Sequence, residues 1–484
     1  MPASDLTCLS AVQMAALVRR KEVSPADLVR AHLARIEKLN PAINAFVEVD
    51  AQSAMRQAQA AESAVMRGEG LGALHGLPIS IKSSIEVVGL RCEAGTKLRA
   101  AHVAQQDASL VERLRAAGAI ILGTTNTPEF LMAWETDNLL YGRTNNPWDL
   151  SCTAGGSSGG EAAAIASGCS AGGVGSDGGG SIRVPAHFCG ISGLKPSPGR
   201  VPATGHFPQS VGPFASLGVV GPMARSAADV KLLFEVMQGP DIGDASAAPV
   251  PLRWPAWARE TVGRKPIRIG YFEEDGRTRV TPETRTAIRT AARALEIAGF
   301  EVEPFRPEGL EKARDLWWKF FGVAGAMLLG PMLKGHEDDL SPILREFNSW
   351  VAEEPPATAQ SLLNSWIQRD IVRMQVFEQM ERFPVVLCPV ASIPAFRHGE
   401  REWQVDGQTV KYLDAWSYCE WFNLLGMPGM VVPMTKSNEG LPIGVQIVAR
   451  PWQEEIVLSI SEILECERGA WQLPALDSAP GTRE

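Results

Sequence analysis

The apolar positions of the chain follow helical spacing in some segments and form short strand-like runs in others. Ser24 followed by Pro25 is typical of a helix start, and the apolar spacing after it predicts a helix to about Leu39. The same criteria predict further helices at about 51–66, 109–117, 160–167, 282–298 and 454–465, and helices throughout 309–380. Short apolar runs predict strands at about 77–82, 119–122, 267–271, 301–304, 385–388, 430–432 and 444–448. Strands that alternate with helices in this way indicate an α/β fold.

The length of 484 residues would suit about three domains, but large α/β enzymes often form one. No internal repeat divides the chain. We therefore expect a single domain with the following parts: N-terminal helices (about 1–70), a core (about 71–235), a Pro-, Ala- and Trp-rich linker or excursion (about 239–266), a C-terminal part (about 267–470) and a frayed tail (471–484).

Charge and composition narrow the classes of partner. Lys and Arg total 46 against 55 for Asp and Glu, so the net charge is -9, and no long run of like charge occurs. Such a chain is a poor candidate for binding nucleic acid or an anionic membrane. No signal-peptide-like segment is visible at the N-terminus, and the longest apolar stretch, 320–333, is shorter than the about 20 residues that span a bilayer. We expect a cytoplasmic protein without a membrane span.

The eight cysteines are scattered, and none forms a CxxC pair. This spacing argues against a structural zinc site, and a reduced compartment would leave most of the thiols as packing residues. We expect no metal and no cofactor.

A stretch at 151–200 is unusually rich in Gly and Ser. Such composition often marks a flexible linker. Here, however, apolar segments interrupt it, as do Arg183, Pro185 and Cys189. These interruptions favour an ordered site that depends on glycine.

Two short motifs in this stretch match known sites but lack the required context. The glycine pattern at 173–178 satisfies G-x-G-x-x-G, yet Pro185 follows closely and no acidic residue occurs between Asp177 and Asp229, so a dinucleotide site is disfavoured. The pattern at 155–159 satisfies G-x-S-x-G, but residues 146–154 read as a loop rather than the strand that a nucleophile elbow needs. We reject both interpretations.

The segment GGSSGGEAAAIASGCSAGGVGSDGGGSIRVPAHFCGISGLKP (155–196) strongly resembles the defining stretch of the amidase signature family. Other family-like segments occur in the same order along the chain: GLPISIKSSIEVVGL (76–90), NTPEF (126–130), GRTNNPWD (142–149), CPVASIPAF (388–396), Asn423, GMPG (426–429) and GLPIGVQIV (440–448). The resemblance implies a large mixed, twisted central β-sheet covered by helices on both faces.

The resemblance also implies a serine hydrolase with a Ser–cis-Ser–Lys triad. Ser181 would be the nucleophile, Ser157 the serine that follows a cis peptide bond, and Lys82 the base. The chemistry is consistent with this assignment, because a serine hydroxyl needs a base and no histidine lies in a suitable motif. Burial would disfavour the charged form of Lys82 and leave a neutral amine that accepts a proton.

Neighbouring residues receive supporting roles in the same scheme. The N–H groups of Gly178, Gly179 and Gly180, which lead into Ser181, could converge on an oxyanion. Ser158 could assist the hydrogen-bond network or be structural. Asp177 and Arg183 are expected to brace the loop that carries Ser181, and His75 and His187 are expected to be packing residues. The nearby cysteines at 152, 169 and 189 show no sign of being nucleophiles.

The substrate side is described only coarsely by the sequence. Leu131, Met132, Ala133 and Trp134 follow the NTPEF segment, which in the family borders the acyl pocket. Two apolar, aromatic regions could either line a broad hydrophobic pocket or form core helices: 317–333 and 416–422.

We expect an amidase that acts alone on small to medium hydrophobic, aryl or alkyl, amides through an acyl-enzyme. Ester or carbamate hydrolysis as a side activity is compatible with this chemistry. The alternative is the glutaminase subunit of a partner-dependent amidotransferase; the tRNA-linked subunits usually carry Gln where this chain has Val184. A non-catalytic binding protein is disfavoured because all three triad residue types are present. The sequence does not decide the oligomeric state between a monomer and a homodimer.

Overall fold

The structure is a computed structural model that describes residues 6–259, 267–470 and 472–476. Its strands are β1 Phe46–Val49, β2 Pro78–Lys82, β3 Ile120–Thr125, β4 Asn145–Asn146, β5 Asp149–Thr153, β6 Gly172–Asp177, β7 Ser192–Lys195, β8 Val219–Ala224, β9 Arg268–Tyr271, β10 Glu301–Pro304, β11 Val385–Pro389, β12 Glu402–Val405, β13 Gln408–Lys411, β14 Gly429–Lys436 and β15 Pro442–Ala449. Eleven of them form one sheet in the order β1-β3-β2-β6-β8-β7-β14-β15-β11-β9-β10. The pairs β4/β5 and β12/β13 form separate two-stranded sheets.

Helices surround this sheet. They are α1 Ala11–Arg19, α2 Pro25–Ile43, α3 Ala51–Arg67, α4 Ser109–Ala116, α5 Gly159–Ala166, α6 Arg183–Cys189, α7 Ala227–Met237, α8 Pro282–Ile297, α9 Leu310–Trp318, α10 Gly325–Leu333, α11 Pro342–Ala352, α12 Ala359–Gln379, α13 Ser417–Leu424 and α14 Glu454–Arg468. A π-helical turn, Lys319–Ala324, joins α9 to α10.

The predicted α/β architecture with a large mixed sheet is confirmed. β2 runs parallel to β3 and β6, whereas β14 runs antiparallel to β7 and β15. Side chains alternate between faces along a strand, and on β11 Val385 and Leu387 join one apolar cluster while Val386 and Cys388 join the other. Helices α7, α8 and α14 contribute to the first cluster and α5, α6 and α13 to the second. The sheet is therefore covered on both faces.

Most predicted helices and strands are present, with ends that shift by a few residues. The helix at Pro25 begins as expected, with Ser24 Oγ accepting a hydrogen bond from the Ala26 N–H at 3.0 Å, but it runs to Ile43 instead of about Leu39. The expectation of a loop at 146–154 is wrong, because 149–153 form β5. This strand pairs with β4 outside the main sheet, so it does not form a nucleophile elbow.

The central strand β6 was not predicted, because its sequence GGVGSD lacks the apolar alternation that marks a strand. All six of its residues are buried. A Cβ at Gly173 would lie 2.3 Å from the Ser80 carbonyl oxygen of the neighbouring strand. Glycine is needed here so that the strand can approach its neighbours, not to provide flexibility.

The described part of the predicted linker, 239–259, packs on the protein. The Trp257 ring contacts Phe300 with centroids 5.8 Å apart, and Lys231 Nζ lies 4.3 Å from the centroid of the Trp254 ring. This part is therefore an excursion that returns to the core. Residues 260–266, and positions 471 and 477–484 of the predicted tail, lie outside the described residues.

One helical run, Leu310–Leu333, is long and apolar enough to cross a membrane by length and composition. The expectation of no membrane span considered only the apolar stretch 320–333. The helical run is longer than that stretch, because α9 and the π-helical turn continue into α10. Half of its most apolar window is buried inside the protein. The core helix of a soluble protein meets the same criteria, so this run is weak evidence for a membrane span.

Candidate active site

The candidate site lies where two parallel strands end. β2 and β6 are hydrogen-bonded neighbours, with Ser80 opposite Gly173 and Ile81 opposite Val174. Because their carboxyl ends meet at one edge of the sheet, Lys82 at the end of β2 lies beside Ser176 and Asp177 at the end of β6. Ligand sites of α/β proteins commonly form at such an edge.

Lys82 is fully buried and surrounded by hydroxyl groups. Its Nζ lies 2.7 Å from Ser157 Oγ and 3.0 Å from the Oγ atoms of both Ser158 and Ser176. Burial lowers the pKa of Lys82 well below the usual 10.5, and this outweighs the opposing charges of Asp177 and Glu161. The site therefore favours a neutral amine that can exchange protons with a hydroxyl.

The loop before α5 holds Ser157 in place. The Gly156–Ser157 peptide bond is cis, as the family resemblance implied. Thr127 Oγ1 donates a hydrogen bond to the Ser157 carbonyl at 2.8 Å. A Cβ at Gly156 would lie 2.5 Å from the Glu135 carbonyl oxygen, so this position accepts only glycine without rearrangement. The Ser158 hydroxyl contacts Lys82 Nζ as well.

Ser181 precedes α6 and is 8% exposed. It lines the same cavity as Ser157 and Ser176. The loops carrying Ser181 and Ser158 are tied together, since the Ser158 N–H donates to the Ser181 carbonyl at 3.1 Å. The fold thus brings Lys82, Ser157 and Ser181, which are far apart in the sequence, into one site.

Asp177 and Arg183 form a buried ion pair beside the loop that carries Ser181. Both are fully buried, and two guanidinium nitrogens of Arg183 contact the Asp177 carboxylate at 3.0 Å. The same carboxylate accepts from the Ile182 N–H at 3.1 Å and from Asn423 Nδ2 at 2.9 Å. Although burial alone would raise the pKa of Asp177, the Arg183 charge lowers it well below its usual range. The pair is therefore ionised and holds both ends of the loop.

The three glycines before Ser181 are not equivalent. The Gly180 N–H donates to Asp177 Oδ1 at 2.8 Å, so this predicted oxyanion donor already has an acceptor in the structure. Within the described residues, the N–H groups of Gly178 and Gly179 meet no protein acceptor. Their carbonyls accept from Trp317 Nε1 at 2.8 Å and Trp134 Nε1 at 2.9 Å, which orients the two peptide units.

An apolar cavity opens in front of these serines. It encloses about 580 Å³ of space between atoms, including solvent at its mouth. Ser157, Ser176, Ser181 and His206 line it, and its apolar lining consists mainly of Phe130, Leu131, Met132, Ala203, Pro208, Phe214, Val219, Val220, Phe321 and Leu329. A ligand with an aryl or alkyl group would be desolvated here.

The four predicted pocket residues all face cavities that include Ser181. Leu131 and Met132 line the main cavity. All four also line a smaller neighbouring cavity of about 210 Å³, together with Gly179 and Ser181. Trp134 therefore borders the site next to the glycine loop, where its Nε1 donates to the Gly179 carbonyl.

The two apolar regions whose role was left open differ from each other. In the region 317–333, Phe321 and Leu329 line the main cavity. In the region 416–422, Trp416 and Trp421 are buried at 0% and 1% exposure and belong to the apolar core. The first region contributes to the pocket and the second is core.

Sequence reasoning missed three polar residues at the site. Ser176 contacts Lys82, and Glu161 accepts hydrogen bonds from Ser80 Oγ at 2.5 Å and Thr125 Oγ1 at 2.8 Å. Burial raises the pKa of Glu161 to about 7. His206 lines the cavity mouth. Glu161 and Ser176 both lie in the Gly/Ser-rich stretch that the sequence singled out, but neither received a role there, and His206 lies outside every motif that was considered.

The two histidines expected to be packing residues have structural contacts. His187 is fully buried, and its ring contacts the Ile393 carbonyl at 3.0 Å and the Gly444 N–H at 2.8 Å. His75 Nε2 lies 3.0 Å from the Ala61 carbonyl. Neither lines the main cavity.

Comparison with known proteins identifies the family of the chain. The profile of the family described as Amidase matches residues 27–458. The chain is 34% identical over 471 residues to the indoleacetamide hydrolase of Bradyrhizobium diazoefficiens, covering 95% of this chain and 86% of that protein. It is 32% identical over 481 residues to the acylamidase of Rhodococcus erythropolis, covering 97% of each chain. A glutamyl-tRNA(Gln) amidotransferase component from Bdellovibrio bacteriovorus is also 32% identical, over 487 residues that cover 95% of this chain and 97% of that protein.

A solved structure shares the fold. A bacterial aryl acylamidase of the amidase signature enzymes superimposes with a TM-score of 0.84 and 28% identity, covering 95% of this chain and 96% of that chain. These matches define a hydrolase of carbon–nitrogen bonds in amides. The chain belongs to the amidase signature family, and the resemblance found in its sequence is confirmed.

Proposed function

We propose that the protein hydrolyses hydrophobic amides through a Ser181–Ser157–Lys82 triad and an acyl-enzyme intermediate. The observation that carries this proposal is the 2.7 Å contact between the buried Lys82 Nζ and Ser157 Oγ, at the base of an apolar cavity that also contains Ser181. A buried amine, a relay hydroxyl and a second serine are the groups that acyl transfer requires.

In the acylation step, Ser181 Oγ attacks the amide carbonyl carbon. Its proton passes to Ser157, and the Ser157 proton passes to Lys82, so the amine becomes an ammonium. The N–H groups of Gly178 and Gly179 stabilise the oxyanion of the tetrahedral intermediate. As the carbon–nitrogen bond breaks, Lys82 returns its proton through Ser157 to the departing nitrogen.

In the deacylation step, a water molecule attacks the acyl-enzyme ester. Lys82 accepts the water proton through Ser157, and the collapse of the second tetrahedral intermediate returns a proton to Ser181. The acid product leaves and the neutral lysine is restored. In both acylation and deacylation, Lys82 accepts one proton as the tetrahedral intermediate forms and returns it as the intermediate breaks down.

The apolar lining supports an aryl or alkyl group on the substrate. Phe130, Met132, Phe214 and Phe321 surround the serines with rings and an aliphatic chain. The guanidinium of Arg183 is paired with Asp177 and fully buried, so it offers no free charge to a substrate carboxylate. Small to medium hydrophobic amides are therefore the proposed substrates, with esters and carbamates of similar shape as side substrates.

Glutaminase activity in a partner-dependent amidotransferase is the second candidate function. The 32% identity to a component of the tRNA-linked amidotransferase favours it. The apolar cavity disfavours it, because glutamine carries a charged ammonium and a charged carboxylate. Purified chain that hydrolyses glutamine but no aryl amide would support this alternative.

Peptide mapping after reaction with a small sulfonyl fluoride tests the proposed nucleophile. We expect the label on Ser181, with loss of hydrolysis in proportion to labelling. Ser210, a serine that also lines the cavity, is the internal control and should stay unlabelled. A label on Ser157 instead of Ser181 would contradict the assignment.

The pH profile tests the neutral lysine. Because burial holds the pKa of Lys82 well below 10.5, kcat/KM for a neutral anilide should rise with pH as Lys82 loses its proton and should level off below the usual lysine range. Rates between about pH 6 and 10, with folding checked by circular dichroism at each pH, measure this. A rate that falls above about pH 7 in folded protein would contradict a neutral lysine base.

A further inference from the structure

His206 occupies a distinctive position at the mouth of the cavity. It lines the main cavity that contains Ser181, and it also lines a second, adjacent cavity with charged residues such as Glu86, Arg99 and Asp244 in its wall. The two cavities share four residues: Ala203, His206, Gln209 and Ser210. His206 therefore lies at the boundary between the two cavities.

The ring is held in one tautomer. His206 Nδ1 lies 2.8 Å from the Pro208 carbonyl oxygen, which can only accept a hydrogen bond, so Nδ1 carries the proton. Nε2 therefore presents a lone pair. Its protein contact, Ser84 Oγ, is 3.4 Å away, which is long for a hydrogen bond.

The backbone fixes this ring relative to the proposed base. The Phe207 N–H donates to the Ser84 carbonyl at 2.8 Å, and the Glu86 N–H donates to the Gly205 carbonyl at 2.9 Å. Ser84 follows Lys82 by two residues, so the loop with His206 is bonded to the segment that continues from β2. The acceptor nitrogen is thus anchored to the catalytic edge of the sheet.

The ring is also neutral under ordinary conditions. Withdrawal from bulk water lowers the pKa of His206 to about 4, and a positive charge on Lys82 acts in the same direction. Two other polar side chains of the cavity are occupied: Asp177 is paired with Arg183, and Ser210 Oγ donates to the Gly218 carbonyl at 3.1 Å. His206 Nε2 is therefore an acceptor that a bound substrate can use.

We propose that His206 Nε2 accepts a hydrogen bond from the N–H of the scissile amide and of the amine it releases. This makes His206 a specificity-determining residue that favours substrates with an N–H at the scissile bond over esters and N,N-disubstituted amides. The inference rests on the proposed function, because it assigns the substrate class of the Ser181 site. The oxygen of an ester has no proton to donate, so it gains nothing from this acceptor.

The test uses an anilide and a phenyl ester with the same acyl group. The ratio of their kcat/KM values should fall by about fivefold or more in His206→Phe, which keeps a ring but has no acceptor. His206→Gln, whose amide oxygen can accept, is the matched control and should keep the ratio within about twofold of wild type. For the N-methyl anilide, which has no N–H, His206→Phe should lower kcat/KM by no larger a factor than it does for the ester.

If His206→Phe lowers kcat/KM for the anilide and the ester by the same factor, the inference is overturned and His206 has a structural role. If Ser181→Ala kept activity on both substrates, the proposed function itself would fail, which is a separate result. If His206→Phe does not fold, ¹⁵N NMR of histidine-labelled Ser181→Ala protein provides the second measurement. The Nε2 resonance of His206 should shift upfield with the anilide and not with the ester, and identical spectra with both ligands would refute the proposal.

Discussion

Ser181→Ala is expected to lower kcat/KM for a hydrophobic anilide by about a millionfold. The variant has no hydroxyl to attack the carbonyl, and neither Ser157 nor Ser176 can replace it without leaving its contact with Lys82. Ser181 lines the cavity and not the packed core, so the loss of one oxygen should change the free energy of unfolding little. Initial rates at high enzyme concentration and thermal unfolding of the same preparation measure both effects.

Ser170→Ala is the matched control for this variant. Ser170 is also buried in the Gly/Ser-rich stretch, where its Oγ donates to the Gly172 carbonyl at 2.7 Å, but it does not line the main cavity. It should keep most of the activity. A Ser181→Ala protein with a substantial fraction of wild-type activity would eliminate Ser181 as the nucleophile.

Lys82→Met is expected to lower kcat/KM by about ten-thousandfold. Methionine fills a similar volume but has no amine, so Ser157 loses its proton acceptor at 2.7 Å. The fully buried position should accept an apolar side chain, although Ser158 and Ser176 lose a contact as well. The residual rate should also lose its rise with pH, which separates the loss of a base from a general loss of structure.

Lys195→Met provides the control for removing a buried lysine. Lys195 is also fully buried, its Nζ contacts the Pro196 carbonyl at 3.0 Å, and burial lowers the pKa of this residue to about 7. It does not line the main cavity. The variant should keep the alkaline rise in kcat/KM even if its unfolding temperature falls. Loss of that rise in Lys195→Met, with retention in Lys82→Met, would show that Lys195 and not Lys82 is the titrating group.

Sequence patterns located the strand of Lys82 because LPISIK is a short, β-prone segment bounded by Gly76 and Pro78. They failed at β6, where Gly173 serves close approach to Ser80 and carries no hydrophobic signal. They also could not show that the Gly180 N–H is taken by Asp177, because that contact depends on the backbone path between the two residues. The proposed oxyanion donors therefore reduce to Gly178 and Gly179.

By itself, the sequence determined the α/β class, the family and the identity of the three proposed triad residues. Those features depend on local periodicity and on ordered motifs that can be read along the chain. Only the tertiary structure decided that Phe321 faces the cavity while Trp416 is core, and that His206 lines the cavity with its Nδ1 held by the Pro208 carbonyl. Burial and hydrogen-bond partners come from segments distant in sequence, so they exist only once the sheet has assembled.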